Sequence, residues 1–444
     1  MAEISGAVPA PDLDTVMRAA LGAVFPEISE GQGPVALGIA VSGGGDSMAL
    51  LHLARDCARG HGARLHAVTV DHGLRPAARA EAQMVAEVCK GLEMSHDILT
   101  WEGWDGSGNL QNQARRARYG LITGWARGRG ISHVALGHTA DDQAETFLMR
   151  LARGSGLDGL SAMVATRPSL GVTWLRPLLT VRREALRSYL RARHLGWVED
   201  PSNTDPRFIR VQARQVLAEL APLGLDAEVI RETTARLAKA RAALEAVTAD
   251  AARRLARVEA GDVVIDSAGL ADLPAEIRRR LIAHSLNWVA SAEYRPRAEA
   301  LAETLAAIGQ GRAATLHGCR IIARAGALRI SRELQAVKGR ACAPDQVWDG
   351  RWRLLRADGA TEILPGEKTD LRIDALGVAG LAACPDWRAT GLPRVTLEAS
   401  PALWSGTDLQ AAPLAGWANG WRAELLFGDD AYNSSILYPE SLRN

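Results

Sequence analysis

Between residues 35 and 137 four short, almost wholly apolar runs alternate with longer amphipathic stretches, an order that points to a parallel α/β sheet. Val35 to Val41, Leu65 to Val70, Ser95 to Thr100 and His133 to Gly137 are predicted as strands. Helices are predicted near Met48 to Gly60, Ala77 to Leu92 and Asn112 to Arg127. Strands this apolar are buried on both sides, so helices should cover both faces of the sheet. Open sheets of this kind bind ligands beyond the carboxyl ends of their strands, and the residues that follow each strand are therefore the candidates for chemistry.

The first strand runs into AVSGGGDSMALL, residues 40 to 51. Gly43, Gly44 and Gly45 let the backbone approach a ligand closely, and Ser47 lies where the next helix begins. Free amides at that helix start, with the Ser42 and Ser47 hydroxyls, make a cradle for phosphate or pyrophosphate. This is not a Walker loop, which needs Gly-Lys-Ser/Thr where Gly45-Asp46-Ser47 stands. An acid inside an anion cradle makes sense when a metal joins it to the phosphates, so Asp46 is the expected Mg2+ ligand. The competing reading is a glycine-rich turn with no ligand.

The second strand ends in VDHGLR, residues 70 to 75, where Asp71 is placed to meet a metal or ATP, or to cap a turn. His72 and Arg75 would reach phosphates from the same end. After the fourth strand, GHTADDQAET gathers His138, Asp141, Asp142 and Glu145 at a helix start, where carboxylates also serve as caps. Arg115 and Arg118, three apart, share a helix face. They either clamp phosphates or form a solvated basic face.

Farther on, the arginine-rich region 181–220 is interrupted by the turn-rich GWVEDPSNTDP, and residues 225–258 read as one long helix or two. Helices near Pro274 to Ser291 and Pro296 to Ile308 precede a hairpin over Ala314 to Ser331, and the chain from about Asp349 is β-rich. The expected partition is a catalytic domain over 1–220, a helical connector over 221–258, an α+β domain over 259–345 and a β-rich domain over 346–444. With 52 basic against 51 acidic residues, the chain is nearly neutral, so any polyanion surface must be local. Residues 182–214 carry eight arginines against four acids. Arg182, Arg183, Arg207, Arg210 and Arg214 are the candidates there for phosphate contacts, with salt bridging within helices as the alternative.

Five scattered cysteines without a CxxC argue against zinc, iron–sulfur or a disulfide framework. No signal-like N-terminus or apolar span is present, so a soluble cytoplasmic protein without membrane contact is expected. The oligomeric state is not fixed by the sequence, and a homodimer is compatible with it.

The run Ser42-Gly43-Gly44-Gly45-Asp46-Ser47 matches SGGxDS, the signature of the N-type ATP pyrophosphatases, or PP-loop enzymes, which this chain resembles. The order VDHGLR, AR..RY, GHTADDQAETFLMRLARGSGLDGLSAM, RPLL and WVEDPSNTDPRF, over about residues 35–220, is similar to the tRNA(Ile)-lysidine synthetases. GRAATLHGCRI, residues 311–321, is a weaker echo of that family. One departure is Val211, where the family commonly has asparagine; Arg210 and Arg214 keep the basic positions. The resemblance implies a Rossmann-like PP-loop ATPase domain, with Ser42, Gly43, Gly44, Gly45, Asp46, Ser47 and Asp71 binding ATP. It implies adenylation of the wobble cytidine C2 oxygen in the CAU anticodon of tRNA(Ile), then attack by free L-lysine with release of AMP. Asp46, Arg115, Arg118, His138 and Asp142 are the expected catalytic residues, with Asp142, near His138, taking the lysine proton. Rival readings are another PP-loop tRNA-modifying ligase, disfavoured where it needs reactive cysteines, and a non-catalytic nucleotide-binding module, disfavoured by Asp46, Asp71 and Asp142.

Overall fold

The computed structural model describes residues 12–25, 36–59, 63–73, 76–102, 110–161, 163–169, 171–200, 205–292, 294–356 and 370–437. The first α/β stretch contains α1 (Leu13–Gly22), β1 (Ala36–Ala40), α2 (Gly45–Ala58), β2 (Arg64–Asp71), α3 (Pro76–Gly91), β3 (Ser95–Thr100), α4 (Leu110–Gly128) and β4 (His133–Leu136). After α5 (Ala140–Leu151), β5 (Thr166–Ser169) and β6 (Val172–Leu175) form a hairpin that the sequence reading missed. Helices α6 (Arg183–Ala192), α7 (Ile209–Leu220) and α8 (Ala227–Leu255) follow. Val35 and Arg75, both named in the sequence reading, lie outside the described residues, as does the 201–204 part of the turn-rich segment.

The sheet order is β3-β2-β1-β4-β6-β5, parallel except for the edge strand β5. Side chains alternate between its two faces as strand geometry requires. Leu37 and Ile39 of β1 join a core with Met48, Leu50, Leu51 and Leu186, whereas Ala36 and Ala40 turn toward Ile122, Ala126, Val134 and Trp174. Burying each such leucine or isoleucine contributes about 1.5–3 kcal/mol. From β1 the chain builds outward through β2 to β3, then returns to lay β4 on the other side of β1. The reversal opens a crevice beyond the carboxyl ends of β1 and β4, where residues 41–47 and 137–145 meet.

Contacts divide the chain into two compact units, one reaching residue 241 and one spanning 242–442, so the split falls within α8. The second unit holds a five-stranded antiparallel sheet, order β7-β8-β11-β10-β9. Its strands are β7 (Ala256–Glu259), β8 (Asp262–Asp266), β9 (Ala314–Leu316), β10 (Cys319–Arg324) and β11 (Ala327–Arg332). The expected hairpin over 314–331 is thus a three-stranded meander. It turns at Gly318 and Gly326, whose φ angles of 68° and 76° suit glycine. Helices α9 (Ala275–Ala290) and α10 (Ala298–Gly309) pack on this sheet. The stretch from 349 contains five short strands in two- and three-stranded sheets, as a β-rich reading expects. Its last helix, α11 (Asp429–Leu437), belongs instead to the core of α9, where the Tyr432 and Ser285 hydroxyls are 2.8 Å apart. No helix among the described residues is long and apolar enough to cross a membrane.

Candidate active site

The glycine loop closes on Ser47. The Ser47 hydroxyl donates to the Gly44 carbonyl at 2.9 Å and accepts from the Ser42 amide at 3.1 Å, with the Ser42 hydroxyl 3.2 Å away. Gly43 has φ +85°, a left-handed conformation, and Gly44 caps α2. The first helical acceptor, the Gly44 carbonyl, serves Met48. The amides of Gly45, Asp46 and Ser47 precede it and have no helical partner. Two neighbours confine this turn. Val198 donates to the Gly43 carbonyl at 2.9 Å, bringing Trp197 against Gly45, and a Cβ on Gly137 would sit 3.0 Å from the Asp46 carbonyl oxygen.

Thr139 caps α5 and forms a capping box with Asp142. The Asp142 Oδ2 accepts from the Thr139 amide at 2.9 Å and its hydroxyl at 2.8 Å. Glu145 follows three residues later on the same face and is 1% exposed. Between this helix and the loop lies Arg183. Its Nε donates to Asp46 at 3.0 Å, its Nη1 to Glu145 at 3.1 Å and its Nη2 to Asp142 at 3.2 Å. Arg214 reaches Glu145 at 2.6 Å and Arg210 at 3.8 Å. Burial pushes the Asp46 carboxyl above its usual range, against the pull of Arg183. Burial acts upward on Asp142 as well, but Arg183, the Thr139 bonds and His138 outweigh it and hold that carboxyl low.

His138 follows β4, with its Nδ1 buried and unpartnered. Burial brings it down to about 4 against Asp142, with Arg176, Arg115 and Arg210 adding to the effect, so it is neutral at pH 7. His72, whose Nδ1 is likewise buried without a partner, is lowered by burial and by Arg118. Arg118 itself is lowered by burial, Arg115 and Arg210, although Tyr119 opposes them. One side of the crevice is therefore a group of arginines around neutral imidazoles; the other is a carboxylate cluster held by Arg183.

The structure brings the loop, Asp46, His138 and Asp142 together at the ends of β1 and β4. Asp71 is buried at the end of β2 and accepts from the Gly73 amide at 2.9 Å, as a turn cap does. Arg115 is exposed and Arg118 half-buried, both beside the Tyr119 ring. Of the arginines expected on a tRNA face, Arg207 is exposed and pairs with Asp205, and Arg182 pairs with Asp141. Arg183 departs from that expectation, because its guanidinium is turned inward and spans three carboxylates. Val211, where asparagine was expected, is buried near the start of α7. Sequence reasoning did not find the roles of Arg183, Trp197 or Gly137. Their partners are remote in sequence, and no local spacing marks them.

Among the described residues no group of three His, Cys, Asp or Glu side chains is arranged to hold a metal. Mg2+ is commonly held by one or two carboxylates and completed by substrate phosphates and water. Asp46, standing in the anion cradle with one oxygen taken by Arg183, fits such a shared site and not an all-protein cage.

The PP-loop domain family matches residues 16–221. A tRNA(Ile)-lysidine synthase of Ruegeria pomeroyi is 50% identical over 406 residues, covering 91% of this chain and 95% of that protein. One from Mesorhizobium japonicum is 37% identical over 411 residues, covering 88% and 85%. A third, from a Bradyrhizobium species, is 40% identical over 319 residues, covering 66% of this chain and 89% of its own.

Proposed function

The chain belongs to the tRNA(Ile)-lysidine synthase family and is an ATP-dependent ligase that forms a carbon–nitrogen bond on tRNA(Ile); from that premise we propose how its residues divide the work. The amides of Gly45, Asp46 and Ser47 and the hydroxyls of Ser42 and Ser47 receive the phosphates of ATP. Asp46 would be the residue that holds Mg2+, which when bound would supply positive charge for the departing pyrophosphate. Arg115 and Arg118 face the same charge from α4. The wobble cytidine of the CAU anticodon presents its C2 oxygen to the α-phosphorus, and the resulting adenylate makes C2 electrophilic.

Free L-lysine then attacks C2 through its ε-nitrogen and expels AMP. The carboxylates of Asp142 and Glu145 orient the incoming ammonium. Asp142, kept low by Arg183 and Thr139, is a better counter-ion than base. His138, neutral and with a free Nδ1, is the acceptor suited to the proton that nitrogen loses as the bond forms. Arg182, Arg207, Arg210 and Arg214 are proposed contacts for the tRNA backbone. ATP, lysine and tRNA meet in the cytoplasm, which is the proposed compartment.

The observation that carries this reading is the junction of the phosphate loop with the Asp142–Glu145 face through Arg183. The experiment is incubation with labelled lysine, ATP and Mg2+, with CAU-anticodon tRNA(Ile) and tRNA(Met) in parallel. Label should enter the first alone. Label in neither refutes the assignment, and label in both refutes the specificity.

A further inference from the structure

We propose that Arg183 is a placeholder cation: its guanidinium holds the carboxylates that receive the lysine ε-ammonium, and lysine binds by taking those carboxylates over. The inference rests on the lysine-dependent reaction proposed above and assigns a positioning residue to it.

Three observations support it. First, the guanidinium makes one bond to each of three carboxylates on two helices, Asp46 on α2 and Asp142 and Glu145 on α5. A guanidinium spreads its donors over three nitrogens of a rigid plane, whereas an ammonium gathers its three on one nitrogen. Second, Arg183 is the only ion-pair partner of Asp46 and of Asp142 among the described residues, whereas Glu145 also has Arg210 and Arg214. Among the described residues three acids thus face three arginines, so the acids are already offset by protein cations. A further cation entering beside Arg183 would meet a like charge in a poorly solvated space, so it must replace the guanidinium at Asp142 and Glu145.

Third, Arg183 is anchored at its backbone independently of its guanidinium. Its amide donates to Asp141 at 2.7 Å at the first residue of α6, while the side chain remains 19% exposed. Departure of the guanidinium then needs a change of rotamer and no shift of the helix.

The test uses the full chain without tRNA or ATP. L-Lysine and norleucine, which has the same backbone and no ε-ammonium, are titrated calorimetrically into the wild type, Arg183→Gln and Arg183→Lys. Withdrawing the competing charge in Arg183→Gln should tighten lysine binding roughly tenfold and leave norleucine unaffected. Arg183→Lys, which reaches fewer carboxylates, should show a smaller gain in the same direction. If lysine affinity is unchanged or weaker in both variants, Arg183 is only structural and the proposal is overturned. If Arg183→Gln does not fold, Arg183→Lys decides by the same criterion. Labelled-lysine incorporation by the wild type separates the two readings. Turnover without the gain overturns the placeholder alone, and absence of lysine turnover overturns the function beneath it.

Discussion

Replacing Gly137 by alanine tests whether the end of β4 sets the position of the phosphate loop. A Cβ at this residue would lie 3.0 Å from the Asp46 carbonyl oxygen and 3.1 Å from the Asp46 carbonyl carbon and the Ser47 Cα. Ordinary contact at a Cβ begins near 3.4 Å. All three atoms are backbone, so no rotamer relieves the clash. The first turn of α2 must retreat by about 0.4 Å, since β4 is held in register by β1 and β6. Overpacking of this kind destabilises by about 1–3 kcal/mol. If a misplacement of about 1 Å lowers a rate by about a hundredfold, 0.4 Å on a logarithmic scale gives roughly a five- to tenfold fall in kcat/KM for ATP. The assay is tRNA-dependent pyrophosphate release with ATP titrated, beside a thermal melt. Lysine KM should stay within about twofold, because the clash is on the loop side of the crevice. Gly128→Ala is the control, since nothing lies within 4 Å of a Cβ there. Equal melting points and equal kcat/KM for ATP in the two variants would refute the argument that strand β4 fixes the loop.

Glu145→Gln removes the shared partner of Arg183, Arg210 and Arg214 in a buried place and should destabilise the first unit by about 3–5 kcal/mol in urea unfolding. A change below about 1 kcal/mol would mean that the cluster does not stabilise the fold. His138 binds its proton at about 4 when folded and near 6.5 when unfolded. The unfolded chain therefore takes up a proton that the folded one refuses, and stability should fall by up to about 3 kcal/mol as pH drops from about 6.5 to 4. His138→Gln should flatten that slope, and an unaltered slope would show that the imidazole is not held neutral. Binding of tRNA(Ile) should weaken steeply with salt, and Arg182→Ala should lessen the slope by about one phosphate contact. A salt-independent affinity would exclude this face.

The sheet was legible because its signal is periodic and local. Ser95 to Thr100 is β3 as read, and α3 and α4 begin and end within two residues of their predicted limits. The β5–β6 hairpin escaped notice because TRPS is short, polar and exposed and contains a proline, none of which marks a strand. The short helices and single-turn elements beyond residue 377 have too few residues to show a period. In the site, glycines and acids at strand ends revealed the loop and the 138–145 cluster. Arg183 was misplaced on an outer basic face because arginine density does not say which way a side chain points. Its partners lie 137, 41 and 38 residues away in sequence, and only the closed crevice brings them within 3.2 Å. Asp71 allowed two readings, and its bond to the Gly73 amide supplies a physical reason for the turn-capping one.

Val198 against Gly43 and Arg214 against Glu145 also have a consequence for biosynthesis. The strands that frame the crevice are complete by residue 136, and the glycine loop is made earlier still. Yet the loop gains its Trp197–Val198 wall, and Glu145 its Arg183 and Arg214 partners, only from residues translated later. A nascent chain halted near residue 160 would carry Asp46, Asp142 and Glu145 with none of those arginines to offset them. The loop's wall and the counter-ions of its acids are thus added only over about fifty residues that follow, after β1 to β4 have been made.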